Sequence, residues 1–215
     1  MEIKIGAGKL KELRRRSVRL KGYDYSGTGA YFVTVCTNRK KCILGEVIDE
    51  KIVPTTIGGI AKNCWEEIPK HFLNVELDEF VVMPNHVHGI IQIINVGATH
   101  ASPLQKHHSN SNPRGPGPRT IGSIVGSFKS ATTRCANGIG LGNRFSIWQR
   151  NYYEHIIRDE DELNQVKEYI IQNPLKWQFD RENPNNRGDA CVAPTIENLI
   201  YGSTKQKAMS EFSNG

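Results

Sequence analysis

Val75-Glu76-Leu77-Asp78-Glu79-Phe80-Val81-Val82-Met83-Pro84-Asn85-His86-Val87-His88-Gly89-Ile90-Ile91-Gln92-Ile93-Ile94-Asn95-Val96 is the stretch that decides the fold. Val75 to Met83 reads as a strand and His86 to Val96 as a second one, because both are rich in β-branched residues. Pro84-Asn85 between them favours chain reversal, so the two form a hairpin.

Upstream, Ile57, Ile60, Ala61, Cys64, Trp65 and Ile68 recur at spacings of three and four. This is the one-sided stripe of a helix between Thr56 and Phe72, limited by Pro69. Before it, Ala30 to Thr37 reads as a buried strand. Downstream, Gly97 to Pro118 loses all apolar periodicity in a run of Ser, Asn, Pro, Gly and His, which predicts a disordered insertion. Arg119 to Asn137 then reads as a helix ended by Gly138, and Ser146 to Ile157 as a strand. Asp159, with Glu162 three residues on, opens a helix that runs to Asn173 and stops at Pro174. The order strand, helix, strand, strand, helix, strand, helix predicts an α+β domain. It is the ferredoxin-like split βαβ arrangement, an antiparallel sheet with helices on one face. The expected organisation is a flexible basic N-terminal arm over 1–22, a domain over 23–180 with the insertion at 97–118, and a polar C-terminal tail over 181–215. Such a fold hosts many unrelated activities, so function has to come from the site.

With 38% apolar and 23% charged residues, the 215-residue chain is a globular mixture of one domain plus tails. No apolar run approaches the roughly 20 residues of a membrane-spanning helix, and the N-terminus lacks a signal-peptide core. Five scattered cysteines without a C-x-x-C pair argue against a disulfide framework or a cysteine zinc site, which points to a reducing cytoplasm. The arm holds eight Lys and Arg against Glu2 and Glu12, and so carries the entire net charge of +6. Between Glu79 and Glu154 there is no carboxylate but seven Lys and Arg. Segregated positive charge fits a polyanion such as nucleic acid, and a solvated tail accounts for the arm equally well.

On a strand, residues two apart share a face, so His86 and His88 present two imidazoles side by side. They are half a metal site, or else two hydrogen-bonded histidines on an exposed sheet face. The carboxylate-rich ligand spacing of a zinc hydrolase is missing nearby. Tyr169 and Asn173, four residues apart, share one face of the last helix. If that face meets the histidines, the site has three ligands and a phenol; otherwise Tyr169 is an amphipathic residue at the core edge. A phenol of pKa about 10 is a weak nucleophile unless a metal makes its target more electrophilic.

Together His86-Val87-His88, Trp148-Gln149-Arg150-Asn151-Tyr152-Tyr153 and Tyr169-Ile170-Ile171-Gln172-Asn173-Pro174-Leu175-Lys176-Trp177 resemble the REP-associated tyrosine transposases, relatives of the single-tyrosine HUH transposases. The resemblance covers about residues 14 to 180. It implies a metal-dependent endonuclease and strand transferase that acts on single-stranded DNA near palindromic hairpins, through a covalent 5′-phosphotyrosine intermediate. By position, His86 and His88 would be the paired ligands of Mg²⁺ or Mn²⁺, Asn173 the third ligand and Tyr169 the nucleophile. Often Gln stands at that third position. No second tyrosine lies one turn from Tyr169, which fits a one-tyrosine cycle. Arg14, Arg15, Arg16, Arg19 and Lys21 of the arm, with Arg119, Lys129 and Arg150, are the expected DNA contacts, mostly to phosphates. Tyr152 and Tyr153 are assigned to packing or base stacking. The expected protein is a monomer or homodimer, cytoplasmic and nucleoid-associated. The alternative is a non-catalytic or domesticated ferredoxin-like nucleic-acid-binding protein.

Two peptides outside these motifs, Gly97-Ala98-Thr99-His100-Ala101-Ser102-Pro103 and Gly188-Asp189-Ala190-Cys191-Val192-Ala193-Pro194, can both be built around the self-complementary string GGCGACGCATGCGTCGCC, read in two frames. The expectation is that palindromic DNA has inserted into the gene at both places. Reading the gene there tests it, and two different, non-palindromic strings refute it.

Overall fold

The computed structural model describes residues 27–95, 119–141, 146–180 and 183–184. The arm with Arg14, Arg15, Arg16, Arg19 and Lys21, the insertion over 97–118 and nearly all of the tail over 181–215 lie outside the described residues.

The chain is a mixed α+β unit built on a four-stranded antiparallel sheet of order β4-β5-β1-β6. Strand β1 spans Gly29–Cys36, β4 Val75–Val82, β5 His86–Ile93 and β6 Tyr153–Ile157. The expected hairpin is β4–β5. A small second hairpin, β2 (Gly45–Ile48) and β3 (Lys51–Pro54), was not foreseen. Its turn residues Asp49 and Glu50 adopt positive φ, a conformation that sequence reading expects of Asn-Gly or Asp-Gly.

Helix α1 (Thr56–Glu66) starts where Thr55 Oγ1 accepts from Gly58 N, 3.1 Å away. The helix predicted over 56–72 is broken after Glu66, and Pro69 sits in the first turn of the short α2 (Ile68–His71). Helix α3 covers Ile121–Gly138 and α4 covers Glu160–Gln172. Asp159 caps α4 as expected, its Oδ1 accepting from Glu162 N at 2.8 Å. The predicted strand over 146–157 is regular only from Tyr153. The stretch before it is held irregularly, by a bridge from Trp148 to Thr37 and a hydrogen bond from Gln149 N to Cys36 O.

The helices do not lie on one face as expected. One face of the sheet, with Tyr31, Val33, Val35, Val87 and Ile91, packs on Trp65 of α1 and on Ile121, Ile124 and Phe128 of α3. The opposite face, with Phe32 and Ile90, packs on Val166 and Ile170 of α4. The signal was present in β5, where six consecutive residues, His86 to Ile91, are buried. A strand buried on both sides reads as a continuous apolar run because each face needs a cover.

Two local devices set the register. At Gly89 a Cβ would overlap the Trp65 indole, so glycine is what lets α1 approach the sheet. In β4 the register shifts between Leu77 and Phe80. This bulge turns both residues toward the larger core despite their odd separation, and leaves Asp78 paired with Lys167 of α4 at 2.9 Å.

Candidate active site

The β1–β5 register sets Cys36 opposite His86 and Thr34 opposite His88. Both histidines are buried, His86 completely and His88 to within 4%. They stand side by side with ring centroids 4.3 Å apart. The face that carries them is therefore covered, unlike the exposed face that simple strand histidines would need. Its cover is α4. Tyr169 brings its Oη to 3.5 Å from His88 Nε2, and its ring lies 5.4 Å from the imidazole. Phe32 of β1 packs beneath both, 5.2 Å from His88 and 6.1 Å from Tyr169. Beyond α4, Trp177 lies 6.1 Å from His86, so the end of the helix region roofs that ring as well. Asn173, one turn after Tyr169, is buried at the C-cap of α4.

Neighbours that sequence reading missed hold the imidazoles in place. Asn85 Nδ2 donates to Lys40 O at 3.1 Å, which leaves Oδ1 facing His86 Nδ1 at 2.8 Å. An amide oxygen only accepts, so His86 carries its proton on Nδ1 and keeps a lone pair on Nε2. Thr34 Oγ1 meets His88 Nδ1 at 2.8 Å, leaving Nε2 toward Tyr169. Asn85 was legible as the residue before the motif, whereas Thr34 needs the register of a strand fifty-four residues away. Burial drives the His86 pKa down to about 3, helped by the positive charge of Lys40. Burial, then the neighbouring His86, holds His88 well below the ordinary histidine range. Both rings are neutral at physiological pH, the form that offers a lone pair.

Among the described residues, no three His, Cys, Asp or Glu side chains gather as a metal-binding group. A cation here would need the amide oxygen of Asn173. Two atoms fit that requirement: His86 Nε2 and Asn173 Oδ1 are both buried without a hydrogen-bond partner. Leaving such an atom unpaired costs about 1–3 kcal/mol, and a missing ligand is a standard reason for the exception.

The expected DNA contacts separate in the structure. Lys129 is tied down, its Nζ donating to Gln149 O at 2.9 Å and Asn151 O at 2.8 Å over the Tyr152 ring. Burial lowers its pKa to about 8. Arg150 and Arg119 are exposed, the latter at a positive φ of 63° before α3. Tyr153 packs edge-on against Phe32. No helix among the described residues is long and apolar enough to cross a membrane.

An uncharacterized protein of Haemophilus influenzae is 46% identical to the chain over 168 residues, 78% of this chain and 92% of that one. The chain belongs to that protein's family. A second Haemophilus influenzae protein, provisionally named a REP-associated tyrosine transposase, is 23% identical over 154 residues, covering 71% of this chain and 74% of its own. Among solved structures, a REP-associated tyrosine transposase bound to a REP hairpin matches with a TM-score of 0.50 and 21% identity, over 77% of each chain. The chain thus shares its fold with that transposase. No family model matches the chain.

Proposed function

We propose that the chain is a metal-dependent single-stranded DNA endonuclease and strand transferase of the REP-associated tyrosine transposase kind. It acts near palindromic hairpins through a covalent 5′-phosphotyrosine. The observation that carries this reading is the convergence of the strand imidazoles and the helix phenol, with Tyr169 Oη 3.5 Å from His88 Nε2. The hairpin held by the structurally similar transposase supports the choice of substrate. In this reading the sheet is a ferredoxin-like unit whose last helix covers the histidine face.

His86 Nε2, His88 Nε2 and Asn173 Oδ1 would hold Mg²⁺ or Mn²⁺, which when bound would polarise the phosphodiester and stabilise its developing charge. Tyr169 Oη attacks phosphorus, the bond from phosphorus to the 3′-oxygen breaks, and the phenolic proton ends on that oxygen. Neither water nor a nucleotide cofactor is consumed, and the linkage kept on Tyr169 lets another 3′-hydroxyl reverse the step. Asn85 and Thr34 orient the imidazoles, and Phe32 and Trp177 keep the site dry on either side. Substrate DNA places the protein with the nucleoid.

The test is incubation of wild type and Tyr169→Phe with a flanked hairpin oligonucleotide and Mn²⁺, followed by denaturing electrophoresis. A slower-migrating protein–DNA band from wild type alone is the expected result. A band from both proteins, or from neither, overturns the reading.

A further inference from the structure

On the side of the sheet away from the histidines, α1 and α3 pack against each other. Trp65 meets Phe128 edge-on with ring centroids 5.1 Å apart, and Ala61 of α1 and Thr132 and Ala136 of α3 are fully buried. Cys64 directly precedes Trp65, and Cys135 directly precedes Ala136, so both thiols stand at the rim of this seam. Cys64 is half-buried against the larger core, whereas Cys135 is exposed, and both are free thiols. They come together across the seam, where the Cys64 side chain meets the Cys135 thiol and the Thr132 hydroxyl. Side-chain contact of this kind is the condition a disulfide sets on its partners. Nothing in the spacing of the five cysteines along the chain announces the pair, because it exists only through the packing of two remote helices.

We infer that Cys64 and Cys135 form an oxidation site, which a hydroperoxide closes into a reversible disulfide stapling α1 to α3. Cys135, open to solvent, is where a dissolved oxidant arrives. Burial, and then the neighbouring Cys135, keep the Cys64 thiol above its ordinary value, so it waits in protonated form. The Cys135 sulfur attacks one peroxide oxygen, the O–O bond breaks, and the products are a sulfenic acid and water. The Cys64 sulfur then attacks the Cys135 sulfur. The S–O bond breaks, and the departing hydroxide takes the Cys64 proton as a second water. Two electrons from the two sulfurs have reduced one peroxide to two waters, and a dithiol reductant returns them when it reopens the bond. In a reducing compartment such a bond is transient, formed under oxidant exposure and removed afterwards. The bridge closes a loop of roughly 70 residues, which restricts the unfolded chain and so favours the folded one. That loop carries the β4–β5 hairpin with both histidines, while Tyr169 lies outside it.

The test treats the full chain with hydrogen peroxide, blocks remaining thiols with N-ethylmaleimide, digests with trypsin and weighs the peptides. The expected product joins peptide 63–70 to peptide 135–144, is lighter than their sum by two hydrogens, and disappears after dithiothreitol. Cys64→Ser should strand Cys135 as a sulfenic acid, trapped as its dimedone adduct. The oxidised wild type should show a urea midpoint raised by roughly 1–2 M. Peroxide treatment that leaves both thiols open to alkylation overturns the inference. So does a cross-link of either thiol to Cys36, Cys42 or Cys191 in comparable yield, or an oxidised protein whose urea midpoint is unchanged or lower. The proposed DNA chemistry stands or falls separately, since it is read by the covalent band of Tyr169 under reducing conditions.

Discussion

Asn85 uses both ends of its amide, Nδ2 on Lys40 O and Oδ1 on His86 Nδ1, and so decides which nitrogen of His86 keeps a free lone pair. Removing such a partner of a metal-binding imidazole costs about 10–100-fold in metal affinity. Asn85→Ala is therefore expected to weaken Mn²⁺ binding by that factor in titration calorimetry, while wild type binds one ion. The depressed histidines carry a second expectation. In the unfolded chain they titrate near 6.5, whereas the folded chain refuses the proton until about pH 3 at His86. Their contribution to stability is thus complete above about pH 6.5 and is lost as pH falls below it, at up to about 1.4 kcal/mol per pH unit for each ring. Urea unfolding in the presence of a chelator should show a steeper loss from pH 7 to 5 in wild type than in His86→Gln with His88→Gln. The pair itself was legible because alternation along a strand is a local rule. Thr34, Phe32 and Trp177 were not, since each reaches the site only through register or through packing of a remote element.

Gly89 shows how an element-level constraint hides beside the motif of a candidate site. It follows His88 directly, but what it answers to is the indole of Trp65 on α1, on the other side of the sheet. Gly89→Ala is expected to cost about 1–3 kcal/mol through overpacking, measured as a lowered denaturation midpoint with the circular dichroism of the native state retained. The N-cap of α4 is simpler, and Asp159→Ala should cost about 1 kcal/mol. Strands β1, β4 and β5 and helices α3 and α4 were readable because apolar period and end signals agree in each. The β2–β3 hairpin was not, for Asp49-Glu50 is not a turn pair that announces itself. Nor was the irregular course of 146–152, where the ladder is replaced by bonds to Cys36, Asn38 and Lys129.

At the scale of the whole molecule, the two covers of the sheet are unequal. The face toward α1 and α3 is closed by a broad cluster running from Tyr31 to Trp148, while α4 rests on Phe32, Ile90 and Ile157 through Val166 and Ile170. Positive charge is just as uneven. Deleting residues 1–22, which hold eight of the chain's cations, should flatten the salt dependence of DNA binding, read as a lower slope of log affinity against log salt. Sequence gave the charge distribution directly, but it could not say that α4 would cross to the histidine side, because an amphipathic stripe names a buried face and not the sheet surface that buries it. The bulge in β4 bears on that helix. By freeing Asp78 to meet Lys167, it supplies a polar latch where apolar grip is thin. Backbone amides of α4 are accordingly expected to exchange with deuterium sooner than those of α1 and α3. In the proposed cycle, the phenol that would seize a strand and afterwards surrender it rides on the piece with the lightest moorings.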